Sequence, residues 1–120
     1  MMVEPPARHD LKIWIGANFS EDYEAINDDG TAFDLTGSEL VLRILDGDGT
    51  ELLRLTSASD DEIEITDDAG GEFTISMSYE QTRLMPLGRV ARYELERRVS
   101  GSQESFLSGF VFAEGGDNDD

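Results

Sequence analysis

The sequence has no cysteine, and only one histidine, one lysine and one tryptophan in 120 residues. Without cysteine there is no disulfide framework and no thiolate metal site, so stability must come from packing and hydrogen bonds, as suits a reducing cytoplasm. No apolar run approaches the roughly 18 residues that a membrane-spanning helix needs. The N-terminus (MMVEPPARHD) lacks the basic and apolar segments of a secretory signal, and the chain reads as no secreted precursor. Positive charge is also scarce: 27 acidic residues against 9 basic ones leave a formal net charge of −18. Such a surface repels phosphates and anionic headgroups over a Debye length, which argues against direct nucleic-acid binding and against a membrane partner.

What the chain does have is alternation. Leu11, Ile13 and Ile15 lie on one phase with Lys12 and Trp14 on the other; Leu40, Leu42 and Ile44 repeat the pattern, as do Phe73, Ile75 and Met77, and Ala91, Tyr93 and Leu95. Period-two alternation over short runs marks half-buried strands. Turn chemistry separates them at Asp28-Asp29-Gly30, Asp46-Gly47-Asp48-Gly49, Asp67-Asp68-Ala69-Gly70-Gly71 and Ser100-Gly101-Ser102. One segment reads as helical: Ser78 followed by Gln81 is a capping-box pattern, and Pro86 and Gly88 stop the helix after Tyr79 to Leu84. The last strand runs through Phe106 to Phe112, and its pattern does not decide which face is buried.

These signals predict an all-β protein, an antiparallel immunoglobulin-like β-sandwich of about seven or eight strands with one short helical turn. Residues 1–10, with Pro5-Pro6 and no periodicity, read as an arm, extended or disordered unless a partner orders it. Residues 11–113 form the sandwich, and 114–120 an acidic flexible tail. Leu42, Ile75, Tyr93 and Leu95 are predicted core residues.

Four segments carry a resemblance: Asp10 to Phe19, Phe33 to Ile44, Gly70 to Glu96 and Phe106 to Phe112. Together they resemble the immunoglobulin-like domain of tailed-phage virion proteins, including the N-terminal domain of siphophage upper baseplate proteins and short prophage tail-module proteins. The most specific part is T-x-x-L-x-P-x-G, here one residue shorter between Thr82 and Pro86, followed by a strand with Tyr-x-Leu-Glu, carried by Thr82, Pro86, Gly88, Tyr93, Leu95 and Glu96, with Leu84 or Met85 in the apolar slot. These positions specify a fold rather than a chemistry. The resemblance covers the sandwich of the upper baseplate proteins and not the arm and receptor-binding region that follow it there, so it implies no receptor-binding role.

Chemical constellations are sparse. Asp46/Asp48, Asp60/Asp61/Glu62 and Asp67/Asp68 have the oxygen chemistry of calcium ligands, but no EF-hand spacing, and loop carboxylates commonly form turns. No carboxylate pair is marked for glycoside hydrolysis. His9 lies in the arm, so a Ser-His-Asp site would place its base outside the folded core. Trp14, on the polar phase of its strand, suits either a second sheet's core, the simpler reading, or an exposed interface anchor. Arg83, Arg89, Arg92, Arg97 and Arg98 gather more than half of the positive charge into one stretch. They suit either surface pairing with Glu94 and Glu96 or docking on an acidic or polar patch, arginine being enriched at interfaces.

The resemblance implies a non-enzymatic structural protein of a tailed-phage virion, made in the host cytoplasm and present in several copies, at the tail tip or baseplate. Its partners would be other virion proteins, met through Arg89, Arg92, Arg97, Arg98 and Trp14, without cofactor or metal. Head decoration, head-to-tail joining, or a free-standing carbohydrate- or calcium-binding sandwich are the alternatives; exposed aromatics in a row would favour the last.

Overall fold

The computed structural model describes residues 1–58 and 62–115, and within them all side chains but those of Arg89 and Val90. Each alternating run is a strand. In chain order they are β1 (Met2–Val3), β2 (Ala7–Arg8), β3 (Leu11–Ile15), β4 (Phe19–Ala25), β5 (Glu39–Leu45), β6 (Glu51–Thr56), β7 (Ile63–Asp67), β8 (Glu72–Met77), β9 (Gly88–Val99) and β10 (Ser102–Gly115). Between β8 and β9 lies α1 (Tyr79–Thr82), closed by the expected capping box: Gln81 N–H donates to Ser78 Oγ at 3.2 Å and Ser78 N–H to Gln81 Oε1 at 2.9 Å. Thr82, fully buried, donates its hydroxyl to the Ala17 carbonyl and accepts Gly16 N–H, which ties the helix to the β3–β4 turn. Met85 fills the apolar slot after it, and Leu84 is exposed.

The strands form two sheets, one in the order β1-β4-β8-β7 and the other in the order β2-β10-β9-β5-β6, with β3 also paired to β10. The protein is thus an all-β sandwich, but with two corrections. Its strands number ten among the described residues, and its sheets are mixed: β1 runs parallel to β4, and β2 and β3 run parallel to β10. Alternation reports which side chains are buried and carries no strand direction. Parallel neighbours need a long connection, and here the whole domain lies between β3 and β10.

The two additional strands come from residues 1–10, which pair with both sheets. Val3 is buried in the core cluster on the four-stranded sheet, and Ala7 packs against that cluster from the six-stranded one. What orders the N-terminal segment is the domain itself, through backbone pairing too short to leave a periodic trace in the sequence. The tail is shorter at its near end than its composition suggests, since Glu114 and Gly115 still pair with Trp14 and Ile15. Residues 116–120 and the pair Asp60/Asp61 lie outside the described residues.

Between the sheets, Leu42, Ile75, Tyr93 and Leu95 are buried as expected. Tyr23 stacks on Phe73 with centroids 5.1 Å apart, and Phe106 meets Phe73 and Phe33 edge-on. The last strand buries Phe106, Leu107, Val111 and Ala113. Its phase escapes simple alternation because a register shift lies between Ser105 and Leu107.

Candidate functional site

The outward positions of β10 run Ser108, Phe110, Phe112, Glu114. Register sets their neighbours: on β9, Glu94 lies opposite Ser108 and Arg92 opposite Phe110. On the other flank Arg8 lies opposite Ser108, Lys12 opposite Phe112 and Trp14 opposite Glu114. The result is a row of aromatic rings bordered on both sides by cations. Phe110 is 38% exposed and Trp14 53%, high values for residues that a core would claim. The Arg8 guanidinium carbon sits 5.6 Å from the Phe110 ring centroid, within cation–π range. Arg8, Arg92, Phe110, Ser105 and Ser108 line a shallow hollow of about 270 Å³, and Lys12, Trp14, Phe112 and Glu114 a second of about 150 Å³.

Further across the same sheet, Arg43 and Arg54 both contact Glu51, at 3.4 and 3.0 Å. Arg8, Lys12 and Arg92 make no ion pair among the described residues. Val41 and Leu45 also point away from the core cluster yet are buried, Leu45 in register with Arg92 and Glu51. Long charged neighbours cover apolar surface with their aliphatic stems while the heads stay in water.

The structure separates the residues that the sequence grouped. Arg92 faces outward on this sheet. Arg97 turns the other way: Nε donates to Ser38 Oγ at 2.8 Å, NH1 to Glu104 Oε1 at 2.7 Å, and the guanidinium lies 4.9 Å from the Phe33 centroid. Three fixed contacts make it a structural side chain. Arg98 is half-buried opposite Glu39, with its Nε enclosed and without a hydrogen-bond partner. The Arg89 side chain lies outside the described residues. Trp14 corrects the core reading: the second sheet covers Leu11, Ile13 and Ile15, and among the described residues no layer covers the opposite face. Arg8, Lys12, Phe110 and Phe112 escaped sequence reasoning because the buried phase of β10 was undecided; the F-V-F triplet was the available signal.

His9 also departs from expectation, since it belongs to the folded domain. Its Nε2 lies 3.1 Å from Glu21 Oε1, an oxygen that also accepts the Tyr23 hydroxyl, and its carbonyl accepts the Tyr93 hydroxyl. Burial, followed by the Glu21 carboxylate, pushes both tyrosines well above their usual range. The hollow of about 320 Å³ beside His9 is lined by Asp10, Lys12, Phe19, Glu21 and Phe112, with no hydroxyl or thiol to serve as a nucleophile.

Loop carboxylates are occupied with the backbone. Asp46 Oδ1 accepts N–H groups from Asp48 and Thr50, Asp67 Oδ1 accepts Gly70 N–H, and Asp34 Oδ1 accepts Thr36 N–H. Among the described residues no group of three or more His, Asp or Glu side chains is arranged to hold a metal ion. Among the same residues no helix is long and apolar enough to cross a membrane. Compared with known proteins, the chain matches no protein-family model and no curated protein.

Proposed function

We propose that the protein is a non-enzymatic docking module that works inside a larger assembly, and that the outward face of β10 with its flanking strands is the contact. The carrying observation is the aromatic row Phe110, Phe112 and Trp14 bordered by Arg8, Lys12 and Arg92, none of these cations ion-paired among the described residues, in a molecule of net charge −18. Aromatic anchors with arginines around them are what interface hot spots are made of. Taken with the resemblance, this supports a structural protein of a tailed-phage virion, at the tail tip or baseplate or, alternatively, at the head or head–tail joint. Arg92→Glu combined with Phe110→Ser should abolish incorporation into purified particles while the isolated domain stays folded. Normal incorporation removes this face from the proposal, and absence of the wild-type protein from every purified virion removes the phage assignment.

The same row carries a second reading. Aromatic rings aligned on a flat sheet face can stack on sugar rings, with Arg8, Lys12 and Arg92 donating to the acid groups of an anionic glycan. Saturable binding of an acidic polysaccharide, lost in Trp14→Ala, would favour it over assembly.

A further inference from the structure

We propose that the partner of the β10 row is a second copy of the same chain, which seats on it the outward face of the four-stranded sheet, so that copies stack head to tail. The inference rests on the docking role argued above and names the occupant.

The outward face of the four-stranded sheet is acidic throughout, whereas the β10 row carries Arg8, Lys12 and Arg92 beside Glu94 and Glu114. It bears Asp22 and Glu24 on β4, Glu72 on β8, and Glu64 and Asp67 on β7; none of the strands carries a cationic side chain, and the N-terminal ammonium lies at the β1 edge, 3.4 Å from the Asp22 carbonyl. Register brings these residues together: Glu24 pairs with Glu72, and Glu72 with Asp67, whose carboxylate also accepts Gly70 N–H, so three acidic residues lie side by side across three strands. Like charges directly opposite one another destabilise a sheet. Such a row is relieved when cations are laid over it, and Arg8, Lys12 and Arg92, none of them ion-paired among the described residues, lie together on the β10 row. Both surfaces are sheet faces, and the extents of the molecule, 43 × 26 × 24 Å, provide each with a footprint on the order of 1,000 Å², above the roughly 800 Å² per partner of a standard interface. Because the two faces differ, the contact is heterologous and propagates into a ring or a filament.

The net charge of −18 makes a signature of its own. At about 0.01 M salt the Debye length is roughly 30 Å and whole molecules repel; at about 1 M it is roughly 3 Å and the contact pairs themselves are screened. Stacking is therefore strongest in between, near 0.15 M.

The test is sedimentation velocity of the full chain at those three salt concentrations, with two variants of unchanged melting temperature. Arg92→Glu with Lys12→Glu disables one face, and Glu24→Gln with Glu72→Gln the other. Wild type should form concentration-dependent multimers near 0.15 M and fewer at either extreme. Each variant alone should associate at least tenfold more weakly, and an equal mixture should stop at dimers, since only one intact pair of faces remains. Wild type monomeric at all three salts, or a variant that assembles like wild type, overturns the stacking. If Arg92→Glu with Phe110→Ser still abolishes incorporation into particles, the docking role survives that result with a different partner.

Discussion

The hydroxyl of Tyr93, in the middle of β9, donates to the backbone carbonyl of His9, 84 residues earlier in the chain. The same stretch is held by His9 N–H donating to the Ser108 carbonyl and by Asp10 Oδ1 accepting Phe110 N–H, at 2.8 and 2.9 Å. Gly109 completes the arrangement, because a Cβ there would run into the His9 carbonyl. These contacts seat Arg8 and Lys12 beside β10, so the docking face depends on them.

Tyr93→Phe should cost about 1 kcal/mol, the net worth of one hydrogen bond. Gly109→Ala, which forces the backbones apart, should cost more, about 1–3 kcal/mol. Both should speed hydrogen exchange at His9 more than at Leu42. Unchanged exchange at His9 in both variants would mean that this lock does not hold the N-terminal segment.

Leu95 is completely buried at the centre of β9, between β5 and β10. Leu95→Ala should cost about 2–5 kcal/mol in a denaturant titration. A loss below about 1 kcal/mol would contradict its place in the core.

Arg92 and Arg97 should behave differently despite lying on one strand. Arg97→Ala removes hydrogen bonds to Ser38 and Glu104 and the contact with Phe33, and should cost about 1–2 kcal/mol, with assembly impaired only as far as folding is. Arg92→Glu breaks no ion pair among the described residues and should leave the melting temperature within a few degrees while preventing assembly. Equal melting losses for the two would refute this division.

The pH dependence follows from Tyr23 and Tyr93. Burial, and then Glu21, hold both hydroxyls protonated in the folded state beyond the unfolded value of about 10. Above that pH the unfolded chain binds fewer protons than the folded one, so stability is fully present below about 10 and falls as pH rises through it. Asp29 and Asp34, lowered chiefly by side-chain hydrogen bonds from Thr31 and Thr36, act on the acid side: their contribution is present above about 4 and is lost as pH falls through their folded values. These four groups therefore add no slope to the melting temperature between these limits. Tyr23→Phe with Tyr93→Phe should flatten the alkaline decline, and an unchanged decline would assign it to other groups.

The sequence by itself determined where most of the strands lie and, for β3, β5, β8 and β9, which face is buried, because period-two alternation is a local property and each turn carries its own Gly, Asp or Ser chemistry. The core residues Leu42, Ile75, Tyr93 and Leu95 and the Ser78–Gln81 cap were legible for that reason. Tertiary structure alone decided what lies beside what. Only folding makes β3 the parallel neighbour of β10, draws residues 1–10 into both sheets and leaves Trp14 without a covering layer among the described residues. The docking face joins side chains from β2, β3, β9 and β10, residues up to about a hundred positions apart; their common exposure follows from strand order and register, which no local pattern encodes.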